Sequence, residues 1–481
     1  MLYTQTSRWL ILAAAAATTT FTLTACGGDD DETPAPVAEE TRAQDSRTFA
    51  PVAPDETTFA AVTGGTADTD ATSRWSGVLN GASYRIEVPV NWNGKLVMYA
   101  HGYAGTGANL SVSNPSIRRH LITNGYAWAA SSYSKNYYDV RVGIEDTNAL
   151  AQEFTKIATA KGRTLAAPTK TFIIGHSMGG HIAAAAVEDE TAATAVHKVK
   201  YNGAVPMCGV TGDTELFDYL GAAQLTAQAI AGLPKYPQGS WADIKDLVTA
   251  KLFTTFPSAP TADGMKYASV MQNLTGGPRP MFDIGFTGLY TTVVWGTFGS
   301  DGTVNGIFNK VVSDTNRFTY TIDGDTAGST ALNASVLKLT AATDANRLRR
   351  DGLRWVPKVN GEFKVPVVTI HTLGDMYVPF SMEQIYRKRT EAKGNGNWLV
   401  QRAIRGVAHC DFTIQEQTEA FDAMTAWEAG GAKPAGDDVV TPATVAATSY
   451  GCTFTRNTTG ADDSTAIQNA RAGLVVARPC P

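Results

Sequence analysis

Gly175-His176-Ser177-Met178-Gly179 spells G-x-S-x-G. The chemistry such a run offers is nucleophilic: a serine hydroxyl set on a tight turn and presented to a carbonyl carbon. Small residues let the backbone turn sharply and push the serine oxygen outward. Taken alone the pattern is weak, and an ordinary Gly-rich strand-to-helix turn is the alternative reading. Its flanks make it specific. Thr171-Phe172-Ile173-Ile174 is short and apolar, as a buried strand should be. His181-Ile182-Ala183-Ala184-Ala185-Ala186-Val187 is an Ala-rich helix former. Strand, sharp turn and helix is the setting in which this pattern exposes a nucleophile.

A serine hydroxyl attacks only when a base takes its proton, and the base needs an orienting carboxylate. The chain has 7 histidines, so the search is short. With Ser first, the order expected downstream is acid, then histidine. His181 lies four residues past the turn, on the same helix, and points away from a reaction centre there. His197 stands in a charged stretch, Val196-His197-Lys198-Val199-Lys200, and reads as a solvated surface residue. His371 ends the apolar run Val365 to Ile370 and reads as a partly buried strand-end residue. His409 follows the strand-like run Trp398 to Ile404 and precedes a helix expected from Thr413 to Trp427. A loop between the last strand and the last helix is where the base belongs, so His409 is the candidate.

The acid is expected after the preceding strand. There the chain reads Leu373-Gly374-Asp375-Met376-Tyr377-Val378-Pro379, and Asp375 is its one acid. Turn capping is the competing role for an aspartate in a Gly-Asp loop. Asp411 competes for the acid role, but two residues from His409 it would struggle to reach the far ring nitrogen. Donors for a developing oxyanion are the remaining requirement. The N–H of Met178, after the nucleophile, is one. The second is expected from the loop after the apolar strand Lys95 to Tyr99, where His101-Gly102-Tyr103 offers the N–H of Tyr103. His101 precedes Ser177 and is read as stabilising that loop.

The ordered set His101-Gly102-Tyr103, Gly175-His176-Ser177-Met178-Gly179-Gly180, Asp375 and His409 resembles the α/β-hydrolase superfamily, of the secreted bacterial esterase and lipase type. The likeness spans most of the chain. It implies a mostly parallel sheet with helices on both faces, acyl-transfer chemistry and no cofactor. His409-Cys410 is also distantly similar to the tannase and feruloyl esterase group, where a Cys after the catalytic His pairs with a Cys before the Ser. Here the chain departs from the group, because His176 precedes Ser177.

The N-terminus reads as a targeting segment. Arg8 supplies a positive start and Trp9 to Thr22 an apolar, Ala-rich stretch. Leu23-Thr24-Ala25-Cys26 resembles the bacterial lipobox, which implies lipid attachment at Cys26 after cleavage. The stretch Gly27-Gly28-Asp29-Asp30-Asp31-Glu32-Thr33-Pro34-Ala35-Pro36 is polar, acidic and core-free, as a tether should be. A lipid anchor in the bacterial envelope, at the outer membrane or cell surface, is therefore expected. A plain secretory signal, giving a periplasmic or secreted protein, is the alternative. The formal net charge of -5 is small for 481 residues and gives no support for a nucleic-acid partner.

Of 5 cysteines, Cys208, Cys410, Cys452 and Cys480 remain after Cys26. Four cysteines in an exported protein allow three connectivities. Cys452 and Cys480 are expected to close the tail on itself. Cys208, at a strand end, and Cys410, beside His409, are expected to pin the histidine loop. No CxxC or HExxH spacing supports a metal site.

Candidate strands are Tyr84 to Val90, Lys95 to Tyr99, Tyr126 to Ser131, Thr171 to Ile174, Tyr201 to Pro206, Val365 to Ile370 and Trp398 to Ile404. Helices are expected from Asp146 to Lys161 and from Met382 to Lys393. This alternation predicts an α/β core over 61–208 and 363–430. Residues 209–362 are too many for a loop, and are expected to form a cap over the acyl pocket, with helices at Leu216 to Ile230 and Trp241 to Leu252. Residues 1–26 form the signal, 27–60 the tether and 431–481 a tail stapled by its disulfide rather than packed. The function expected is serine ester hydrolysis of a small or polymeric ester. A serine peptidase or amidase on the same fold, or a non-catalytic surface-binding lipoprotein, are the rival readings.

Overall fold

Eight segments pair into one sheet: β1 (Ser73–Leu79), β2 (Ala82–Val88), β3 (Lys95–Ala100), β4 (Ala127–Ser131), β5 (Lys170–His176), β6 (Gly203–Met207), β7 (Val367–Thr372) and β8 (Leu399–Ile404). The structure is a computed structural model that describes residues 41–52, 58–64, 69, 71–233, 241–288, 294–295 and 310–481. The spatial order of the strands is β1-β2-β4-β3-β5-β6-β7-β8. The β1–β2 and β2–β4 pairs are antiparallel, and every other pair is parallel.

The central strands read as apolar runs because both of their faces are covered. In β3, Leu96, Met98 and Ala100 join one apolar cluster, while Val97 and Tyr99 join another across the sheet. The helices include, in chain order, α1 (Arg118–Thr123), α2 (Val140–Ala160), α3 (Met178–Ala186), α4 (Glu215–Ile230), α5 (Trp241–Leu252), α6 (Ala262–Leu274), α7 (Thr326–Ser335), α8 (Ser381–Ala392), α9 (Ile414–Glu428) and α10 (Thr465–Ala477). Ile144 and Phe154 of α2 and Ile182 of α3 cover the Leu96 face. Leu121 of α1 and Phe421 and Met424 of α9 cover the other. Burying a side chain such as Phe154 contributes about 2 to 3 kcal/mol relative to leaving it in water.

The expected α/β architecture is the one that forms, with shifted boundaries. The second helix begins at Val140 and not at Asp146, because the Asp139 carboxylate caps it by accepting from the Val142 N–H. Strand β1 is absent from the expected set: Trp75 is its one buried residue, so the segment lacks an apolar signature. Between β6 and β7, helices α4, α5 and α6 share the apolar cluster of the sheet's upper face, so this insertion is continuous with the core.

Two expectations need correction. A tether over 27–60 is too long, because the chain packs from residue 41 onward, and Thr41–Pro481 form one compact unit. The Arg42 guanidinium is buried over the Trp355 ring, 3.9 Å from its centroid, and pairs with Asp139. Phe49 packs on Tyr137, and Phe59 on Trp128. The tail, expected to be stapled rather than packed, does pack: Leu474 of α10 and Tyr450 join Leu373, Phe380 and Ala403 in a buried cluster. Arg471, fully shielded, pairs with Glu416 at 2.8 Å and donates to the carbonyls of Arg405 and Asp411. The signal segment and Cys26 lie outside the described residues. Among the described residues, no helix is long and apolar enough to cross a membrane.

Candidate active site

Ser177 stands between the end of β5 and the start of α3 with φ 58° and ψ -120°, a left-handed conformation that a serine rarely adopts. The neighbouring glycines permit it. A Cβ on Gly179 would lie 2.0 Å from the Ala100 carbonyl oxygen, and one on Gly175 would lie 2.1 Å from that of Gly179. Helix α3 can therefore approach the β3 and β5 backbones only with glycine at both positions. The Ser177 N–H donates to the Met207 carbonyl at 3.0 Å, which ties the turn to β6.

The loops after β7 and β8 bring the acid and the base to this serine. His409 Nε2 lies 2.7 Å from Ser177 Oγ, and His409 Nδ1 lies 2.6 Å from Asp375 Oδ2. Asp375 is fully buried, and its Oδ1 accepts the N–H groups of Tyr377 at 2.9 Å and Val378 at 3.1 Å. Both oxygens of that carboxylate thus have donors. The Tyr377 ring stacks on the His409 ring with centroids 5.4 Å apart. The Thr372 hydroxyl donates to the Ala408 carbonyl at 2.9 Å, joining the two loops. A Cβ on Gly374 would come within 2.8 Å of Val407 Cα, so glycine also lets the loops touch.

The chain order strand-acid and strand-histidine, after a strand–serine–helix turn, on a sheet ordered 1-2-4-3-5-6-7-8, decides the architecture. The chain has the α/β-hydrolase fold. No family model matches it. It is similar to the o-phthalyl amidase of Xanthobacter agilis, at 22% identity over 404 residues, covering 72% of this chain and 84% of that protein. Among solved structures it is similar to feruloyl esterase B from Aspergillus oryzae, at 15% identity and a TM-score of 0.41, over 76% of this chain and 82% of the other. An esterase from Pyrococcus furiosus aligns over 77% of this chain and 95% of its own, at 12% identity and a TM-score of 0.34.

In this fold the serine opens onto a cavity of about 330 Å³. Leu216, Phe217 and Leu220 of α4, with Val294, wall it from the insertion, and Tyr103, Tyr138, Val210, Tyr377 and Val378 complete it. Sequence reasoning placed a pocket under the insertion but named none of these wall residues, since only the fold brings α4 over Ser177. Tyr138 turns its hydroxyl to His181 Nδ1 at 2.8 Å, leaving its ring for the cavity. A larger cavity of about 610 Å³ lies against α6, Phe282 and Phe286 and is lined by neither Ser177 nor His409.

Met178 is the first residue of α3, so its N–H has no acceptor within the helix. Tyr103 lines the same cavity, and Gly102 packs its loop against the nucleophile: a Cβ there would be 3.3 Å from that of Ser177. His101 holds the same loop, with Nδ1 2.7 Å from the Gly102 carbonyl and its ring stacked on Tyr133.

The other histidines are engaged elsewhere. His181 is buried and donates from Nε2 to the Pro357 carbonyl. His197 meets Glu145 at 2.9 Å and is not merely solvated. His371, expected to be partly buried, is fully buried. Asp411 accepts the Val407 N–H and takes no part in the Ser177 group. His176 lies half-buried behind the turn, with Nε2 donating to Gln417 Oε1 at 3.0 Å and Nδ1 3.3 Å from the Tyr99 hydroxyl. Loss of water around the ring, more than its partial exposure suggests, pushes its pKa down to about 4.

Disulfides join Cys208 to Cys410 and Cys452 to Cys480. Cys208 and Cys410 gather with His409, but their sulfurs are bonded to each other, so the group offers no thiolate ligands. Like Ser177, both residues hold positive φ, at 45° and 58°.

Proposed function

We propose that the protein is a serine carboxylic ester hydrolase that works through an acyl-enzyme. The observation that carries this reading is the unbroken line Ser177 Oγ, His409, Asp375 at the mouth of an apolar cavity. Ser177 attacks the ester carbonyl while His409 Nε2 takes its proton and returns it to the leaving alcohol. Asp375 fixes the tautomer with the proton on Nδ1 and stabilises the imidazolium as it forms. The N–H groups of Met178 and Tyr103 receive the oxyanion. Water, activated by the same histidine, then frees the acyl group and restores Ser177.

The insertion is the cap that shapes the acyl pocket. A cavity of about 330 Å³ is roughly twice the ~150 Å³ that holds a benzene ring. Its aromatic and aliphatic walls suit a compact, uncharged acyl group. An amide substrate is the second reading, favoured by the amidase that aligns with most of this chain. The two disulfides support an exported protein, and the lipobox at Cys26 supports a lipid anchor.

Labelling by a fluorophosphonate at Ser177, lost in Ser177→Ala, tests the nucleophile. The same substitution should lower turnover by on the order of 10⁴ to 10⁶. A series of p-nitrophenyl esters beside acyl anilides then separates ester from amide preference. Failure of the wild-type protein to take the label or cleave either series would refute the reading. Retention of Cys26→Ser in the membrane fraction would refute the anchor.

A further inference from the structure

A second buried histidine lies beneath the acid loop, outside the proposed triad. His371 sits on β7, four residues before Asp375, and both side chains are fully shielded from solvent. His371 Nε2 donates to the Val378 carbonyl at 2.8 Å and stands 4.0 Å from Asp375 Oδ2. Its Nδ1 faces Glu383 Oε1 of α8 at 3.4 Å. Among the described residues, neither of those two atoms has a hydrogen-bond partner, and they face each other at ion-pair distance. The other oxygen, Glu383 Oε2, accepts from the Thr369 hydroxyl at 2.6 Å and from Gln401 Nε2.

Both ring nitrogens of His371 therefore face acceptors, a carbonyl on one side and a carboxylate on the other. Only the doubly protonated ring donates to both. Glu383 is 1% exposed, and an uncompensated carboxylate there would cost several kcal/mol, which a facing imidazolium offsets. The other ionisable groups close by are Arg387 and Tyr386 on α8, Tyr450 of the tail, and Arg279 and Tyr219 around Asp375.

We propose that His371 and Glu383 form a positioning pair for the reaction: as imidazolium and carboxylate they brace the 375–378 loop and keep Asp375 ionised under His409. The inference rests on the triad reading. The mechanical link is one residue long, since Val378 accepts from His371 through its carbonyl and donates to Asp375 Oδ1 through its N–H. The electrostatic link is the positive ring 4.0 Å from the acid. Burial opposes charge on that ring, but the facing carboxylate of Glu383, with the charge of Asp375, carries its pKa above the ordinary value.

His371→Gln removes the positive charge beside the Asp375–His409 dyad, and Glu383→Gln removes the carboxylate that keeps that charge on the ring, so in both the dyad holds its proton more tightly. In Glu383→Gln and His371→Gln the acid limb of kcat/KM should then move up by about one pH unit. The kcat should fall on the order of tenfold, with KM within about twofold. A merely structural brace would lower kcat and leave the limb in place, so an unmoved limb in both variants overturns the pair. If neither variant folds, the wild-type full chain decides. With ¹⁵N-labelled histidine, both His371 nitrogens should be protonated at pH 7, and a ring with one bare nitrogen there overturns the proposal. Ser177→Ala assayed alongside keeps the two readings apart. If it retains turnover, the triad fails and the pair with it. If it is inactive while the limb stays put, only the pair fails.

Discussion

Cys410 is bonded to Cys208, so the residue next to His409 is tied covalently to the end of the strand beside the one that carries Ser177. The bridge spans 202 residues of chain. Proton transfer needs the imidazole held within a fraction of an ångström, and a loop is a poor holder by itself. Closing a loop of this length stabilises the fold by roughly 5 kcal/mol in the chain-entropy limit. Reduction should lower ester turnover before it melts the sheet. Parallel assay and far-ultraviolet circular dichroism across a dithiothreitol series checks this; coincident loss of both signals would show that the bridge serves the whole fold and not the histidine loop.

Asp375→Asn keeps the shape of the acid but not its charge. The amide can no longer hold the Nδ1 proton of His409, so the wrong tautomer faces Ser177. Turnover is expected to fall by about 10⁴, while the two backbone donors to Oδ1 keep the loop in place. Steady-state kinetics with a denaturation curve on the same preparation tests both halves.

Gly179→Ala should be far more damaging than its chemistry suggests. The added methyl would sit 2.0 Å from a backbone oxygen of β3, which has no room to yield. A cost of about 3 kcal/mol or more is expected, at the upper end of overpacking. Gly107→Ala is the control, since an added Cβ there meets nothing within 4 Å. Urea unfolding of the two variants should differ by that margin.

Acid should destabilise the protein partly through His176. Its folded pKa is about 4 against an ordinary 6.5. As pH falls through that window the unfolded chain takes a proton that the folded one refuses. Stability is thus full above about 6.5 and declines toward 4. In His176→Gln the slope of unfolding free energy against pH should be shallower across this interval, whatever the variant's absolute stability. An unchanged slope would mean that His176 does not titrate as its burial implies.

The nucleophile turn and the loops carrying Asp375 and His409 were legible because each is a local signal: a small-residue motif or a polar loop after an apolar strand. Their order along the chain then paired them. The supports were not legible. His371 reads as one more strand residue until Glu383, twelve positions on, is seen to face it. Phe217 and Tyr138 reach the cavity from separate helices or loops, and no spacing joins them. Arg42 escaped notice because its partners, Asp139 and Trp355, lie about 100 and 300 residues away and a charged residue in a polar stretch looks solvated. Strand β1 lacks an apolar rhythm because Trp75 alone faces the core.

Arg471 makes the seating of His409 depend on a distant helix. Its guanidinium holds the carbonyls of Arg405 and Asp411, on either side of His409. These contacts come from α10, a helix far along the chain from the loop it holds. The sheet, the serine turn and the acid loop can all be in place beforehand, but the histidine loop gains this clamp only when α10 has docked. A chain clipped before α10 would carry Ser177 without a firmly seated base. The seating of the base is thus entrusted to a helix that touches neither the serine nor the acid.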